Sequence, residues 1–232
     1  MASVAALVPA AGMGLRLGEN LPKAFVDLAG RTLLDWALDG LLASGALSHV
    51  VVVVPDRLVD RTQDICARLS GDLPIDVVVG GAERADSVRA GLCAAASADV
   101  ILVHDAARCL TPPETVARVV DAVIAGSPAV VPVLPVVDTM KSVDADGVVT
   151  GTVDRASLRS VQTPQGFDAD VLRRAHAAAD HATDDAGLVE RLGVPVTTVA
   201  GHPEAFKITT PMDLVLARAV LAARHPVGSE SR

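Results

Sequence analysis

Short, mostly apolar runs alternate along the chain with longer segments in which apolar residues recur every three or four positions. The short runs are rich in valine and end at Pro, Gly or a polar cluster: Val4–Val8, Val50–Val54, Ile75–Val79, Val100–Val103 and Ala129–Val133. Runs of this length with little polar alternation are typical of strands that are buried on both faces of a parallel sheet.

The longer segments predict amphipathic helices between these strands. They cover Thr32–Ala43, Leu58–Leu69, Ser87–Ala96 and Pro113–Ala125. Thr111, which precedes two prolines, is the expected cap of the last of these helices. Because strands and helices alternate, we expect an α/β fold with a doubly wound, mainly parallel twisted sheet. In such folds ligands bind at the carboxyl ends of the strands.

One segment interrupts the alternation. Asp144–Gly147 is a turn signal between two short β-prone runs, which predicts an inserted β-hairpin arm at about residues 138–156. A helix near Asp168–Asp180, a strand near Val196–Val199 and a final helix from about Asp213 are expected to follow. No linker divides the chain, so we expect a single domain over residues 1–225 and a disordered tail at residues 226–232.

Composition excludes several classes of function. Half of the 232 residues are hydrophobic, only 2% are aromatic, and the net charge is −8. The chain therefore lacks both the positive field and the stacking surfaces of a nucleic-acid-binding protein. Only three of the 20 basic residues are lysines. Each lysine consequently becomes a candidate for a specific role.

A membrane location is not expected either. The best apolar run, Ala129–Val137, contains Pro132 and Pro135 and is much shorter than the ~20 residues that span a bilayer. No positively charged leader precedes Val4, so a signal peptide is not expected. The three cysteines show neither an even number nor metal-binding spacing. They are interpreted as free thiols of a cytoplasmic protein.

Glycines and two cations follow the first predicted strand. Gly12, Gly14, Arg16 and Lys23 form a Gly-x-Gly-x-Arg motif with a lysine seven residues beyond the arginine. Backbone N–H groups of such a turn can approach phosphates closely, and two fixed cations would neutralise a transferring phosphoryl group. The spacing matches neither the dinucleotide fingerprint nor the Walker motif. The alternative is a glycine turn with solvated basic residues, which the scarcity of lysine disfavours.

Two further clusters follow the third and fourth predicted strands. Gly80 and Gly81 allow close backbone approach, and Ser87 either caps a helix or contacts a ligand, although an ordinary β–α turn would use the same residues. Asp105 ends the fourth strand, where a carboxylate could bind Mg²⁺ or a hydroxyl or simply cap a helix. His104 is interpreted as a core or supporting residue and not as a base.

Taken in order, these motifs resemble those of the 2-C-methyl-D-erythritol 4-phosphate cytidylyltransferases, enzymes of the non-mevalonate isoprenoid pathway. The resemblance spans Leu7 to Asp213 and rests on Pro-Ala-Ala-Gly-x-Gly-x-Arg…Pro-Lys, Gly-Gly-x-x-Arg-x-x-Ser-Val, Val-His-Asp-Ala-Ala-Arg, Asp-Thr-x-Lys, Gln-Thr-Pro-Gln and Thr-Asp-Asp-Ala…Lys-Ile-Thr. The first motif is shared with sugar-nucleotide pyrophosphorylases and specifies only nucleotidyl transfer. The resemblance implies a Rossmann-like nucleotidyltransferase fold, CTP and a polyol phosphate as substrates, and a homodimer formed through the hairpin arm.

The resemblance also implies a role for each matched residue. Arg16 and Lys23 would stabilise the transition state at the α-phosphorus of CTP, and Lys207 would hold the acceptor together with Arg155 from the neighbouring subunit. The implied substrate-binding residues are Ala10, Ala11, Gly12 and Gly14 at the triphosphate, Gly80, Gly81 and Ser87 at the cytidine, and Asp105, Arg108, Thr139, Thr163 and Thr183 at the polyol phosphate. Mg²⁺ would accompany CTP, with Asp105 as its candidate ligand.

This sequence departs from the family pattern at a few positions. Ala82 stands where relatives often carry Asp, which puts one contact near the cytosine in doubt. Ala205 and Phe206 stand where Asn and Ile are frequent, so that wall of the pocket is expected to differ. Cys109 replaces a frequent Pro with little expected effect.

Physical chemistry agrees with the implied reaction on one point. A phosphate monoester is largely dianionic at neutral pH because its second pKa is ~6, so no general base is required. What two anionic substrates require is a high density of positive charge.

Three alternatives remain open at this stage. The nearest is cytidylyl transfer to ribitol 5-phosphate. The others are a nicotinamide oxidoreductase, which the glycine spacing disfavours, and a catalytically inactive nucleotide-binding module.

Overall fold

The computed structural model describes residues 2–12, 21–69, 71–81, 83–178 and 182–224. The helices of this part are α1 (Leu33–Ala43), α2 (Val59–Leu69), α3 (Arg84–Ala94), α4 (Pro113–Ile124), α5 (Ala169–Ala178), α6 (Asp185–Arg191) and α7 (Pro211–Arg224). The strands are β1 (Val4–Pro9), β2 (Asp27–Leu28), β3 (Arg31–Thr32), β4 (His49–Val54), β5 (Ile75–Val79), β6 (Val100–Val103), β7 (Ala129–Pro135), β8 (Met140–Val143), β9 (Val149–Val153), β10 (Arg159–Val161), β11 (Gln165–Asp168) and β12 (Thr197–Ala200).

The central sheet is mixed and mainly parallel, as predicted. Strands β5, β4, β1 and β6 are neighbours in that order, and all of their pairings are parallel. Strand β11 then pairs antiparallel with both β6 and β7, and β7 also pairs with β10 and β12. All five apolar runs identified in the sequence form strands of this sheet.

The antiparallel strand β11 has no counterpart among the predicted strands. Its sequence, Gln165–Asp168, contains only one large apolar residue and lacks a β-branched run. A Cβ on Gly166 would lie 2.5 Å from Cγ1 of Val119, so the glycine allows helix α4 to pack directly against this strand. The signal for β11 is therefore a close approach between two elements, which a sequence pattern does not reveal.

The two faces of the sheet carry two separate apolar layers. Ala6 and Val8 of β1 pack with helices α1, α4 and α7, whereas Ala5 and Leu7 pack with helices α3, α5 and α6. All four side chains are completely buried. Burial on both faces explains why the runs of β1, β4 and β6 are continuous and apolar. The edge strand β5 differs from this expectation, because its Asp76 and Val79 are exposed.

The first turns of helices α3 and α4 differ from those predicted. Helix α3 begins at Arg84, three residues before the predicted start, because the N–H of Glu83 donates to Oδ2 of Asp86 and so satisfies the first turn. The prediction that Thr111 caps α4 is wrong, because its hydroxyl donates to the carbonyl of Arg108 at 2.7 Å and Pro112 occupies the cap position.

The segment after β7 forms the expected hairpin. Strands β8 and β9 pair antiparallel, and Gly147 in the turn has a φ of +81°, a conformation that favours glycine. Three valines of the hairpin, Val143, Val148 and Val149, are 58%, 61% and 55% exposed. Residues 226–232, for which a disordered tail is predicted, lie outside the described residues. Within the described residues, no helix is both long and apolar enough to span a bilayer.

Candidate active site

A cavity of about 550 Å³ opens at the carboxyl ends of strands β1, β4, β5 and β6. Parallel strands bring the residues that follow them to the same edge of a sheet, which is the usual ligand site of this architecture. Of the residues predicted to form the site, the cavity wall contains Ala10, Ala11, Gly12, Lys23, Gly80, Gly81, Ser87, Asp105 and Lys207. The motifs that follow β1, β5 and β6 therefore meet in one place, together with Lys207.

The loop after β1 is held to its surroundings by backbone hydrogen bonds. The N–H of Ala10 donates to the carbonyl of Val53 at 2.7 Å, and the N–H of Lys23 donates to the carbonyl of Gly12 at 2.9 Å. The second bond joins described residues on either side of the loop, and the half-buried Lys23 contributes to the cavity wall. Gly14 and Arg16 lie outside the described residues.

The turn after β5 has no room for side chains at its glycines. A Cβ on Gly80 would lie 2.6 Å from Oγ of Ser87 and 3.0 Å from Cγ1 of Val53, and a Cβ on Gly81 would lie 2.2 Å from Cβ of Asp86. Ser87 is buried inside the first turn of α3, where its hydroxyl donates to the carbonyl of Glu83. The two glycines therefore let the backbone itself form the cavity wall.

Asp105 and Lys207 form an ion pair on the other side of the cavity. Nζ of Lys207 donates to Oδ2 of Asp105 at 2.6 Å, and Nη2 of Arg84 lies 3.9 Å from Oδ1. Burial alone would raise the pKa of Asp105, but Lys207 and Arg84 outweigh this and hold it below its ordinary value. A backbone hydrogen bond from the N–H of Ile208 to the carbonyl of Ala107 holds the Lys207 segment against the end of β6.

Thr163 contacts both Asp105 and His104 through its hydroxyl group. Its hydroxyl oxygen accepts the N–H of Asp105 at 3.0 Å and lies 3.0 Å from Nδ1 of His104. His104 is only 1% exposed, and burial lowers its pKa to about 4, so the imidazole is neutral at pH 7. The interpretation of His104 as a core residue is confirmed. Thr163 lies behind the cavity wall.

Four other predicted residues lie away from the wall of this cavity. Arg108 donates to the carbonyls of Ala205 and Val161 at 2.8 and 3.0 Å. Thr139 and Thr183 are exposed, one beside the hairpin and one before α6. Arg155, also exposed, donates to the carbonyl of Val137 at the base of the hairpin. Their roles stay predictions.

The structure adds charged residues that the sequence predictions did not assign. Arg84 lies in the cavity wall, and its Nη2 lies 2.6 Å from Oδ2 of Asp185. The other oxygen, Oδ1, accepts a hydrogen bond from Nε2 of His176 at 2.9 Å. Arg84 belongs to the recognised Gly-Gly-x-x-Arg motif, which was the available signal for it. His176 has no such motif around it and could be found only from the fold.

The described residues contain no preformed metal site. Among them, His, Cys, Asp and Glu side chains nowhere gather in groups of three that could hold an ion. Three carboxylates, those of Asp56, Glu83 and Asp105, nevertheless contribute to the cavity wall. Because Mg²⁺ keeps several waters and is commonly held by one or two carboxylates together with substrate phosphates, this wall fits an ion that arrives with a nucleotide.

A second cavity, of about 650 Å³, lies between α1 and α2. It is slightly larger than the first, but none of the predicted site residues contributes to its wall. Its charged groups are largely paired with one another: Arg31 with Asp39 at 2.6 Å, and Arg68 with Asp35 at 3.1 Å. We therefore assign the chemistry to the cavity at the strand ends.

Comparison with known proteins identifies the family of this chain. A sequence profile of the family described as 2-C-methyl-D-erythritol 4-phosphate cytidylyltransferase matches residues 4–223. The chain is 64% identical to the 2-C-methyl-D-erythritol 4-phosphate cytidylyltransferase of Rhodococcus jostii over 219 residues, which cover 94% of this chain and 95% of the relative. It is 62% identical to the enzyme of that name from Nocardia farcinica over 222 residues, covering 96% and 95% of the two chains.

Solved structures show the same fold. The crystal structure of 2-C-methyl-D-erythritol 4-phosphate cytidylyltransferase from Thermus thermophilus superposes with a TM-score of 0.74 at 42% identity, covering 94% of this chain and 98% of the other. The 4-diphosphocytidyl-2C-methyl-D-erythritol synthase of Anaerococcus prevotii superposes with a TM-score of 0.82 at 28% identity, covering 95% and 98%. This chain therefore belongs to the 2-C-methyl-D-erythritol 4-phosphate cytidylyltransferase family.

Proposed function

We propose that this chain transfers the CMP group of CTP to 2-C-methyl-D-erythritol 4-phosphate, giving 4-diphosphocytidyl-2-C-methyl-D-erythritol and pyrophosphate. The observation that carries the proposal is the cavity at the strand ends. It combines Ala10, Ala11, Gly12 and Lys23 on one side with the Asp105–Lys207 pair on the other. An anionic donor and an anionic acceptor could therefore meet between two sets of cations.

In the proposed reaction an oxygen of the acceptor phosphate attacks the α-phosphorus of CTP in line, and the bond from that phosphorus to the β-phosphate oxygen breaks. The acceptor phosphate needs no base because it is already largely dianionic near pH 7. Lys23, joined by Arg16, would neutralise the charge that develops on the α-phosphate. Lys207 would hold the acceptor phosphate by exchanging its carboxylate partner for the phosphate.

The loop and the glycine turn would bind the nucleotide. Ala11 and Gly12 would offer backbone N–H groups to the triphosphate, together with Gly14. Ala10, whose own N–H is bonded to Val53, would line the same loop. The narrow turn at Gly80 and Gly81 lets the nucleoside lie against bare backbone, since a side chain there would collide with α3 or β4. Ser87 lies directly beneath this turn.

A divalent ion, Mg²⁺ in our proposal, would accompany CTP and supply charge neutralisation at the phosphates. Asp105 is the candidate protein ligand. We take Asp56 and Glu83 as the other carboxylates in reach of such an ion, because they contribute to the same wall.

The protein would act as a homodimer through its hairpin. Exposed valines on β8, on the turn and on β9 would be covered by the same surface of a second copy, as a two-fold interface requires. Arg155 follows β9 and would then reach the acceptor site of the neighbouring subunit. The three cysteines, Cys66, Cys93 and Cys109, are free thiols, which fits a cytoplasmic enzyme.

The acceptor is tested by turnover of the purified chain with CTP and Mg²⁺, measuring pyrophosphate release. We expect kcat/KM for 2-C-methyl-D-erythritol 4-phosphate to exceed that for ribitol 5-phosphate by at least about a hundredfold, a gap that pocket contacts can supply. The relatives' names favour this acceptor. Comparable turnover of ribitol 5-phosphate would overturn the choice of acceptor, and no pyrophosphate release with either would overturn the proposed function.

A further inference from the structure

A buried pair of side chains, which we call the Asp185–His176 pair, lies directly behind the cavity wall. Asp185 is the first residue of α6 and His176 lies near the end of α5, and both side chains are at most 2% exposed. Oδ1 of Asp185 accepts from Nε2 of His176 at 2.9 Å, and Oδ2 lies 2.6 Å from Nη2 of Arg84. Each carboxylate oxygen thus has one dedicated donor.

The charge state of Asp185 follows from these partners. Burial alone would raise its pKa, but the hydrogen bond from His176 and the charge of Arg84 outweigh burial and lower it. An ionised carboxylate only accepts hydrogen bonds, so Nε2 of His176 carries the proton that it donates. A buried carboxylate of this kind is costly unless it is paired, and it therefore holds its arginine firmly.

Arg84 connects this pair to the candidate acceptor site. From its anchor on Asp185 its guanidinium reaches to within 3.9 Å of Oδ1 of Asp105, whose other oxygen holds Lys207 at 2.6 Å. The result is a row of alternating charges that runs from the buried interior to the cavity. Asp105 therefore lies between two cations: Lys207 is within hydrogen-bonding distance, and Arg84 is farther away.

We propose that the Asp185–His176 pair positions Arg84, and that Arg84 in turn holds Asp105 and Lys207 in the arrangement that receives the acceptor phosphate. The inference rests on the proposed function. With the pair intact, Arg84 stays beyond hydrogen-bonding distance of Asp105, so that Lys207 is the contact the phosphate must exchange. Without the pair, the guanidinium of Arg84 is free to bind Asp105 directly. The Asp105 carboxylate, which orients Lys207, then moves.

The position of Asp185 does not depend on His176 alone. Gln165 of β11 donates to Oδ2 of Asp184 at 2.6 Å and accepts the N–H of Ala186 at 3.1 Å, so the start of α6 is attached to the sheet on both sides of Asp185. Within the described residues, Nδ1 of His176 has no hydrogen-bond partner. Among the described residues, the bond to Asp185 is therefore the polar contact that a substitution of His176 removes.

The test compares His176→Leu, which removes the donor, with His176→Gln, which keeps an N–H donor at a similar distance along the side chain. For each enzyme KM is measured separately for CTP and for 2-C-methyl-D-erythritol 4-phosphate, together with kcat and the melting temperature. We expect KM for the acceptor to rise about tenfold in His176→Leu, the loss typical of a weakened charge-assisted contact. KM for CTP should rise by a smaller factor, because Asp105 would reach CTP only through the divalent ion. His176→Gln is expected to restore most of the acceptor KM.

The same rise in KM for the acceptor is expected in Asp185→Asn. It is also expected in Arg84→Lys, which leaves Asp185 and His176 in place, because the single ammonium of lysine cannot reproduce the reach of the guanidinium. Arg84→Lys keeps the test decisive if Asp185→Asn does not fold. A purely structural role would lower the melting temperature and the active fraction but leave both KM values unchanged. That result, or equal KM values for the Leu and Gln variants, would overturn the inference while the wild-type enzyme still turned over. No turnover by the wild type would overturn the proposed function and this inference together.

Discussion

Lys207 and Asp105 are 102 positions apart in the sequence, yet Nζ of one lies 2.6 Å from Oδ2 of the other. The carboxylate follows the central strand β6, whereas the lysine comes from the segment just before the last helix. The pair lies in the cavity wall, where the two opposite charges neutralise each other in the absence of substrate. If Lys207 holds the acceptor phosphate as proposed, the phosphate must replace Asp105 as its partner, which makes this lysine the first residue to test.

Lys207→Ala should raise KM for the acceptor and lower kcat, because the phosphate loses a charge-assisted contact in both the bound state and the transition state. We expect kcat/KM for the acceptor to fall roughly a hundredfold, as for the loss of one strong charged contact. Steady-state kinetics with saturating CTP measures the change.

Lys141→Ala is the matched control for that variant. Lys141 is exposed on β8 and donates to Oγ1 of Thr152 on the neighbouring strand at 2.6 Å. Removing it deletes the same charge from the chain without altering the cavity. Equal losses in the two variants would show that net charge matters more than the position of Lys207.

Lys23→Ala should lower kcat by roughly a hundredfold or more, since the lysine is proposed to stabilise charge that exists only in the transition state. The same loss is expected for Arg16→Ala. Circular dichroism and the melting temperature should remain near wild type, because Lys23 is only half-buried at the edge of the cavity. A kcat close to the wild-type value in either variant would contradict the assigned role.

Local sequence patterns predicted most strands and helices but not the close packing between elements that are distant in the sequence. The apolar runs of β1 and β4 to β7 were recognisable because burial on both faces leaves no polar position in most of them. Strand β11 was not predicted, because the feature that marks it is the close packing of Val119 against Gly166, which has no side chain. Helix α3 was predicted to begin too late because its first turn is closed by Asp86, three residues beyond Glu83.

The candidate site likewise combines residues that the sequence indicated with contacts that only the fold reveals. Gly80, Asp105 and Lys207 follow strands or stand in short motifs, so their residue types and positions indicated them. Arg84 and Asp185 are 101 positions apart, and no local spacing predicts their contact. Pairings of this kind are decided when α6 docks on the sheet, and only the folded chain reveals them.

Gly80→Ala should weaken CTP binding and destabilise the fold together. The new Cβ would approach Oγ of Ser87 to 2.6 Å and Cγ1 of Val53 to 3.0 Å, so the turn must shift. Overpacking of this kind costs about 1–3 kcal/mol of the free energy of unfolding. Urea denaturation and KM for CTP measure the two effects.

Gly151→Ala serves as the control for Gly80→Ala. Gly151 lies on the exposed strand β9, and a Cβ there has no heavy atom within 4 Å among the described residues. We expect the free energy of unfolding to stay within about 0.5 kcal/mol of wild type or to rise slightly. A Gly80→Ala protein as stable as Gly151→Ala would show that the turn has more room than its geometry indicates.

His104 should make the protein less stable as the pH falls. Burial lowers its pKa from the ordinary 6.5 to about 4 in the folded chain. Between these values the unfolded chain binds a proton that the folded chain does not, so the free energy of unfolding decreases as the pH falls through this window. The loss is at most about 3 kcal/mol for a shift of this size.

Urea denaturation at a series of pH values measures this loss, and His104→Asn is the informative variant. The amide keeps a polar atom near the position of Nδ1, beside Thr163, but does not titrate. We expect the variant to be less stable at pH 7 and to depend less on pH between 6.5 and about 4. An unchanged slope in the variant would assign the pH dependence to other groups.

The hairpin arm should bring two copies of the chain together. Val143, Val148 and Val149 are more than half exposed in the single chain, and apolar groups so close together on a hairpin favour association. Replacing Val143 and Val149 by Glu should therefore give a monomer in sedimentation velocity without loss of helix content. Dimers of unchanged mass would place the interface elsewhere.

Arg155 provides the decisive test of whether the arm completes a neighbouring site. If Arg155 acts across the interface, each active site combines Lys23 of one subunit with Arg155 of the other. Co-expressing Lys23→Ala with Arg155→Ala chains would then produce mixed dimers in which one site carries both defects and the other carries neither. With random pairing about a quarter of all sites are intact, so roughly a quarter of the wild-type kcat should return although each variant alone is nearly inactive. If Arg155 serves its own subunit, every site in the mixture contains one defect, and co-expression restores no activity.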